Sequence, residues 1–213
     1  ALLMAARASN DQLRQEVEQR RALQEALRIQ ASIDPLTGLN NRREYEKRFT
    51  HEMARARREG CAMSLVMLDL DHFKHINDDH GHAAGDEVLR CVAQLCRENF
   101  REVDIAGRLG GEEFVVLMPH TALREAGEVA RRFLQVLSDT EIAFEGLRLR
   151  VQATAGVAEL QAHEDHLETL LQRADHALYA GKQTGRNRVM LALPDGQVQH
   201  YQGGAMAPKE PGV

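Results

Sequence analysis

The sequence places two carboxylates directly after a pair of glycines, at Gly110, Gly111, Glu112 and Glu113. Because glycine reaches positive φ without steric cost, the pair predicts a tight turn between two strands that lets a ligand approach the backbone. Adjacent carboxylates repel each other unless a proton or a cation neutralises them, so a divalent metal ion is a natural ligand. A solvated acidic hairpin is the alternative interpretation of the same four residues.

A second acidic position ends the apolar run from Cys61 to Leu68. Asp69 follows this run, and Lys74 lies five residues further on. A carboxylate at the end of a buried strand, close to a cation that can neutralise phosphate, is typical of magnesium–nucleotide sites. Helix capping is an alternative role for Asp69 taken alone.

Four blocks of the sequence resemble the GGDEF family of diguanylate cyclases, in the family's order and spacing. The blocks are DPLTGLNNRR, LDLDHFKHINDDHGHAAGDEVL, RLGGEEF and ADHALYAGKQTGRNRV, and the match runs from Asp34 to Val189. The resemblance implies an α/β (α+β) catalytic domain over residues 34–193. Its central, mostly antiparallel, five-stranded sheet would be flanked by helices, as in nucleotidyl cyclases and polymerase palm domains. The implied protein is a bacterial enzyme that acts as a homodimer. It would condense two GTP molecules to cyclic di-GMP and release two pyrophosphates.

The resemblance also assigns catalytic roles. The side chains of Asp69 and Glu112 and the backbone carbonyl of Leu70 would hold Mg²⁺ or Mn²⁺. Glu113 would act as a base or as a second metal ligand. Lys74 would stabilise the charge that develops on the transferring phosphorus.

A further set of residues is implied to bind GTP. Asn77 and Asp86 resemble the pair that reads guanine, whose N1–H and N2–H₂ groups donate to a carboxylate. Because adenine lacks that pair of donors, we expect GTP to be preferred, and a transferase that uses ATP is the alternative. Lys182 and Arg186 would hold the terminal phosphates, although cations also favour a helix C-terminus for electrostatic reasons. The implied GTP-binding residues are Phe73, Lys74, Asn77, His82, Asp86, Lys182 and Arg186.

An inhibitory site for the product is implied by an RxxD motif, Arg101 to Asp104, five residues before the paired glycines. The planar guanidinium can hold phosphate or a guanine edge, and the aspartate can accept from guanine. Arg132 matches a position that completes this site in some family members. In each case an ordinary surface residue is the alternative.

Composition limits the class of protein. The 213 residues carry a net charge of −5, so wholesale binding to nucleic acid is not expected. An odd number of cysteines, three, indicates reduced thiols in a cytoplasmic protein. A degenerate domain that only binds GTP or cyclic di-GMP is the alternative to an enzyme. Such receptors usually lose a metal carboxylate or a glycine, and this sequence keeps both.

The two ends of the chain are predicted to lie outside the catalytic domain. Residues 1–33 contain a helical pattern that indicates either a coiled coil or a solvated connector. We expect this helix to be the linker from an upstream sensor that is missing from this sequence. The missing part could anchor the full-length protein to a membrane. Residues 194–213 are rich in glycine, proline and polar side chains and predict a disordered tail. Near the end of the domain, residues 142–144 and 147–157 predict a hairpin at a sheet edge.

Overall fold

The computed structural model describes residues 32–161 and 166–203, together with residues 16, 17, 19 and 20. Those four residues near the N-terminus are helical. The rest of the predicted N-terminal helix and residues 204–213 of the predicted tail lie outside the described residues.

The described ranges form a domain of helices packed on a β-sheet. The helices are α1 (Arg42–Glu59), α2 (Phe73–His80), α3 (His82–Asn99), α4 (Leu123–Asp139) and α5 (Leu167–Gln183). The strands are β1 (Asn40–Asn41), β2 (Met63–Asp71), β3 (Ile105–Gly110), β4 (Glu113–Pro119), β5 (Ile142–Phe144), β6 (Leu147–Leu149), β7 (Gln152–Glu159), β8 (Val189–Ala192) and β9 (Val198–Tyr201).

The main sheet has the strand order β1-β3-β4-β2-β7-β8-β9. Its pairs are antiparallel except β1 with β3 and β7 with β8, so the predicted mostly antiparallel sheet is confirmed. β2 is buried along its whole length because it has a strand on each side and helices on both faces. This explains the continuous apolar run in its sequence, since a strand covered on both faces needs no polar alternation.

Alternate residues of β2 serve two separate cores. Val66 and Leu68 pack with residues of α3 and α4, whereas Leu65 and Met67 pack with residues of α1 and α5. Because side chains alternate between the faces of a strand, Asp69 belongs to the face that α5 covers. The sheet pattern therefore turns the acidic end of β2 towards α5.

The sheet has seven strands, so the prediction of five was wrong. β1 and β9 are the additional edge strands. β1 has two residues, too few to show any periodic pattern in the sequence. β9 pairs with β8 in antiparallel register, so the prediction of disorder was wrong for residues 198–201. The sequence Leu193-Pro-Asp-Gly196 turns the chain between them, with the Gly196 N–H donating to the Leu193 carbonyl at 3.0 Å.

The hairpin predicted around residues 145 and 146 is confirmed, but the prediction that residues 147–157 form a single strand was wrong. β5 pairs with β6 in a separate two-stranded sheet. β7, whose residues 152–157 belong to the same predicted strand, is instead an interior strand between β2 and β8. Its small buried residues allow α5 to approach closely, and this same smallness hid the strand's central position in the sequence pattern.

Two further observations concern the whole of the described part. None of its helices is long and apolar enough to cross a membrane. Cys61, Cys91 and Cys96 are all free thiols. Cys96 is buried in α3, and burial raises the pKa of its thiol to about 12, which keeps it protonated.

Candidate active site

The predicted turn joins β3 to β4 and brings its carboxylates beside the acidic end of β2. Asp69 and Glu113 are direct partners across the antiparallel β2–β4 pair. Gly110 and Gly111 have φ of 154° and 51°, so both require the conformational freedom of glycine. Glu112 and Glu113 are half-buried, and Asp69 is buried. Strand register thus assembles the predicted carboxylate cluster.

Lys182 enters this cluster from the C-terminal end of α5. Its Nζ lies 2.7 Å from Oδ2 of Asp69. α5 can reach the sheet because two glycines remove side chains from the contact. A Cβ on Gly156 of β7 would lie 1.9 Å from the Ala174 carbonyl oxygen, and one on Gly181 would lie 2.7 Å from Cγ2 of Thr154. These close approaches fix the position of Lys182.

Two carboxylates at this end of the sheet, those of Asp69 and Glu113, have raised pKa values. Burial raises the pKa of Asp69, Glu112 adds to the rise, and the Lys182 ammonium opposes it. Burial also raises the pKa of Glu113, with repulsion from Asp69 and Asp175 adding to the effect. A raised pKa means that negative charge is unfavourable there, so a further cation would stabilise the cluster.

The helices α2 and α3 form a wall next to this cluster. Phe73 begins α2, but its side chain is buried in the core, so any contact with phosphate must come from its backbone. Asn77 and Asp86 are half-buried, and Oδ1 of Asn77 lies 2.0 Å from where a Cβ on Gly85 would be. The sequence analysis missed this role of Gly85. Its lack of a side chain allows Asn77 to lie against α3.

The start of α2 is open to a ligand. The residue before the helix, His72, has φ of 59° and makes no side-chain cap to it. An uncapped helix N-terminus offers backbone N–H donors and the positive end of the helix dipole to an anion. Lys74 and His82 are exposed on the same pair of helices.

Asp71 ties the loop after α5 to the sheet, a role that the sequence analysis missed. Its buried carboxylate accepts from Oγ1 of Thr154 at 2.8 and 3.0 Å and from the backbone N–H of Asn187 at 2.9 Å. Arg186, the residue before Asn187, has φ of 58° and its side chain is exposed. The short loop after α5 thus holds Arg186 on the same side of the sheet as Lys182.

Arg108 ties the glycine turn to the start of the domain and was also missed. Its Nε and Nη2 donate to the Gly111 carbonyl at 3.0 and 2.7 Å, while Nη1 donates to Asp34 at 3.1 Å. Burial would raise the pKa of Asp34, but hydrogen bonds from Thr37 and Arg108 outweigh it and hold that pKa below its ordinary value. This contact connects the residues after the predicted linker directly to the acidic turn.

The RxxD residues lie in the turn before β3. Asp104 Oδ2 accepts from the backbone N–H of Arg101 at 2.9 Å, and Oδ1 is buried without a partner among the described residues. Burial raises the pKa of Asp104, opposed by that backbone hydrogen bond. Phe100, adjacent to Arg101, packs against Phe133 with ring centroids 5.0 Å apart. Arg132, which precedes Phe133, is exposed on α4.

The geometry of the site indicates a class of protein. Clustered carboxylates on paired strand ends, faced by a lysine and an open helix N-terminus, suit the phosphates of a metal-bound nucleotide. Residues 31–188 match the family described as diguanylate cyclase, GGDEF domain. Because this match spans well over half of the sequence, the chain belongs to the GGDEF family.

Curated relatives support this assignment. Diguanylate cyclase DgcP of Pseudomonas aeruginosa is 42% identical over 165 residues, which are 78% of this chain and 24% of that protein. Diguanylate cyclase DosC of Escherichia coli is 38% identical over 173 residues, 81% of this chain and 37% of that protein. The chain thus spans well under half of the length of these relatives.

Solved structures share the fold. The coiled coil and GGDEF domain of DgcB from Caulobacter crescentus, in complex with c-di-GMP, matches with a TM-score of 0.82 and 32% identity, over 89% of this chain and 99% of that one. The active GGEEF domain of a diguanylate cyclase from Vibrio cholerae matches with a TM-score of 0.67 and 34% identity, over 71% and 96%. The second of these structures is of a GGEEF domain, and residues 110–114 of this chain have the same sequence.

Proposed function

We propose that this domain is a diguanylate cyclase that condenses two GTP molecules to cyclic di-GMP and two pyrophosphates. The observation that carries the proposal is the cross-strand pair of Asp69 and Glu113, with Glu112 beside it on the glycine turn. This pair lies within reach of Lys182. Every motif residue whose loss would indicate a non-catalytic receptor is present.

The donor set fits a hard divalent cation. Asp69, Glu112 and the Leu70 carbonyl would hold Mg²⁺ or Mn²⁺ through oxygen atoms, which both ions prefer. Asp69 is the last residue of β2 that pairs with β4, and β2 continues beyond it. In the described sheet, the backbone of Leu70 therefore has no strand neighbour on the β4 side. When bound, the metal would offset phosphate charge and lower the pKa of the attacking hydroxyl.

The side chains of the site divide the remaining work. The 3′-hydroxyl of one GTP attacks the α-phosphorus of the other, forming the ester bond and breaking the bond to pyrophosphate. Glu113 is the candidate to accept the hydroxyl proton, because a raised pKa makes a carboxylate a better base. Lys74 stabilises charge on the transferring phosphorus, and Lys182 and Arg186 hold the leaving pyrophosphate.

Base selection is assigned to the α2–α3 wall. Asn77 and Asp86 read the guanine edge, with His82 at the rim of the same wall. Phe73 and Lys74 offer the N-terminal N–H groups of α2 to the phosphates. Gly85 keeps Asn77 in its place. This arrangement favours GTP over ATP because adenine lacks the donors that Asp86 accepts.

Catalysis requires two domains to face each other, because each is proposed to hold one GTP. The helix predicted in residues 1–33 would set the relative angle of the two domains. The contact of Arg108 with Asp34 would connect this helix to the glycine turn. A truncated chain that begins at Ser32 should therefore lose specific activity at low protein concentration.

The proposed activity predicts product formation that rises faster than linearly with protein concentration. The chain is incubated with GTP and Mg²⁺ at several protein concentrations, and the nucleotides are separated chromatographically. Parallel incubations contain ATP, or the Glu112→Ala variant with GTP. Cyclic di-GMP from GTP alone, and none from the variant, is the expected result. If no product forms while GTP or cyclic di-GMP still binds, the domain is a receptor and not an enzyme.

Product inhibition is predicted to depend on Arg101. We propose that cyclic di-GMP binds at the exposed Arg101 and at Asp104, whose carboxylate would accept from guanine. Arg132 is the candidate third residue. Arg101→Ala should weaken inhibition by at least about tenfold, since a charged hydrogen-bonding partner is worth about 1.5–3 kcal/mol. The initial rate should stay within roughly a factor of two, as for a surface change. Arg124→Ala on α4 is the matched control, and an unchanged inhibition curve for Arg101→Ala would refute the site.

A further inference from the structure

Three potential metal ligands converge at the end of the sheet opposite the catalytic carboxylates. The ligand atoms of Glu59, Cys61 and His120 all lie within 4.8 Å of one another. Nε2 of His120 is 3.8 Å from Oε2 of Glu59. We propose that these three side chains form a binding site for a zinc-like divalent metal ion. This inference does not depend on the proposed cyclase activity.

Strand pairing explains why residues about sixty positions apart meet here. Met63 at the start of β2 is the direct partner of Pro119 at the end of β4. Cys61 lies two residues before Met63, and His120 directly follows Pro119. Because the strands are antiparallel, both extensions leave the sheet at the same end. Glu59 is the last residue of α1, and its helix delivers it to the same place.

Hydrogen bonds hold both chain segments in position. On one side, Gly60 ends α1 with φ of 65°, and the Cys61 N–H donates to the Ala56 carbonyl at 3.0 Å. On the other side, Oγ1 of buried Thr121 donates to the Pro119 carbonyl at 3.0 Å, and Oγ of buried Ser64 donates to the Thr121 carbonyl at 2.8 Å. Ligands carried by rigid segments lose little freedom when a metal binds, which favours binding.

His120 is held in an uncommon backbone conformation between these bonds. Its φ is 53°, in the left-handed region that few residues other than glycine adopt. This bend aims the imidazole back towards the end of α1, where Nε2 faces the carboxylate.

The charge balance suits a divalent ion. A carboxylate at a helix C-terminus is disfavoured by the helix dipole, so Glu59 gains from a nearby cation. Arg55 donates to Oε1 of Glu59 at 3.0 Å, while Oε2 faces His120 and remains available as a single ligand atom. A Cys61 thiolate and the Glu59 carboxylate, which also pairs with Arg55, would offset part of the positive charge of the metal.

The ligand types select the metal. Thiolate, imidazole and carboxylate together are typical zinc ligands, and Mg²⁺ binds poorly to sulfur. Glu59 and His120 are exposed, so water can fill the fourth tetrahedral position. Asp69 lies six positions after Met63 along β2, a distance of about 20 Å at about 3.3 Å per residue. The zinc-like site is therefore distinct from the proposed magnesium site.

The test titrates the whole chain with Zn²⁺ alone and with Co²⁺ alone, whose thiolate charge-transfer absorption reports a cysteine ligand. All proteins carry the Asp69→Asn change, so that the carboxylate cluster binds less metal. One metal ion per chain is expected, with the Co²⁺ thiolate band present. Losing an outer-shell partner of a ligand costs about 10–100-fold in metal affinity, so Cys61→Ser and His120→Ala should each weaken Zn²⁺ binding at least about a hundredfold.

The control is Cys91→Ser, which removes another free thiol that is also half-buried. It should bind Zn²⁺ and Co²⁺ like the parent. Circular dichroism checks that each variant is folded. Absence of the thiolate band, or Zn²⁺ affinity unchanged by both Cys61→Ser and His120→Ala, would overturn the proposal.

Discussion

Replacing Asp69 by asparagine should lower the rate of cyclic di-GMP formation by at least about a thousandfold, because several kcal/mol of charge stabilisation by the metal would be lost. The amide is nearly isosteric with the carboxylate but carries no charge, and it is a much weaker ligand for Mg²⁺. Initial rates with GTP, measured over a range of Mg²⁺ concentrations, check this expectation. Raising the Mg²⁺ concentration should recover only a small part of the loss.

The same variant should keep its stability, which separates a catalytic defect from a folding defect. The pKa of Asp69 is raised in the folded state above its ordinary value of 3.8, mainly by burial. The stability that this raised pKa contributes is present below pH 3.8 and is lost as pH rises through the folded-state pKa. At neutral pH the charged form is therefore unfavourable to folding, and a neutral amide should leave the thermal midpoint equal or higher.

The control for this change is Glu145→Gln, the same conversion of carboxylate to amide in the exposed turn between β5 and β6. It should alter neither the rate nor the thermal midpoint. Lys182, which loses its partner in Asp69→Asn, is partly exposed at 31% and can turn towards solvent. A clear drop in the thermal midpoint of Asp69→Asn would show that Asp69 is structural, and near-parental rates would remove it from the proposed metal site.

The sequence predicted the parts of the site that depend on local pattern. Paired glycines indicate a turn wherever they occur between strands, and the apolar run before Asp69 indicates a buried strand. These two local signals fixed the glycine turn and the acidic strand end, and strand pairing then brought them together. The resemblance to the family supplied the roles that local pattern cannot supply.

The missed residues act through contacts that join distant parts of the chain. Arg108 and Asp34 are 74 positions apart, and Asp71 and Asn187 are 116 apart. No periodicity within either segment indicates such a pair. The side chain of Phe73 illustrates a related limit, because a residue adjacent to a predicted site can serve the core while only its backbone faces the ligand. β9 was missed because four residues with polar neighbours carry too little pattern to outweigh the composition of the tail.

Replacing Gly156 by alanine should destabilise the domain by at least about 3 kcal/mol, at the upper end of the usual cost of overpacking a core. The new Cβ would lie 1.9 Å from the carbonyl oxygen of Ala174 and 2.5 Å from the backbone nitrogen of Leu178. Both atoms belong to the backbone of α5, so no rotation of a side chain can relieve the overlap. The helix must move away from β7, which opens the core between them. Urea unfolding of parent and variant measures the loss.

Gly85→Ala provides the matched comparison, since its new Cβ would also meet an atom at 2.0 Å. That atom is Oδ1 of Asn77, at the end of a side chain that can rotate away. Gly85→Ala should therefore cost less stability than Gly156→Ala but weaken GTP binding, because Asn77 leaves the proposed guanine site. Gly156→Ala should act through Lys182 instead, since moving α5 separates its Nζ from Asp69. If Gly156→Ala and Gly85→Ala lowered the free energy of unfolding by the same amount, backbone contact would not be what fixes α5 on the sheet.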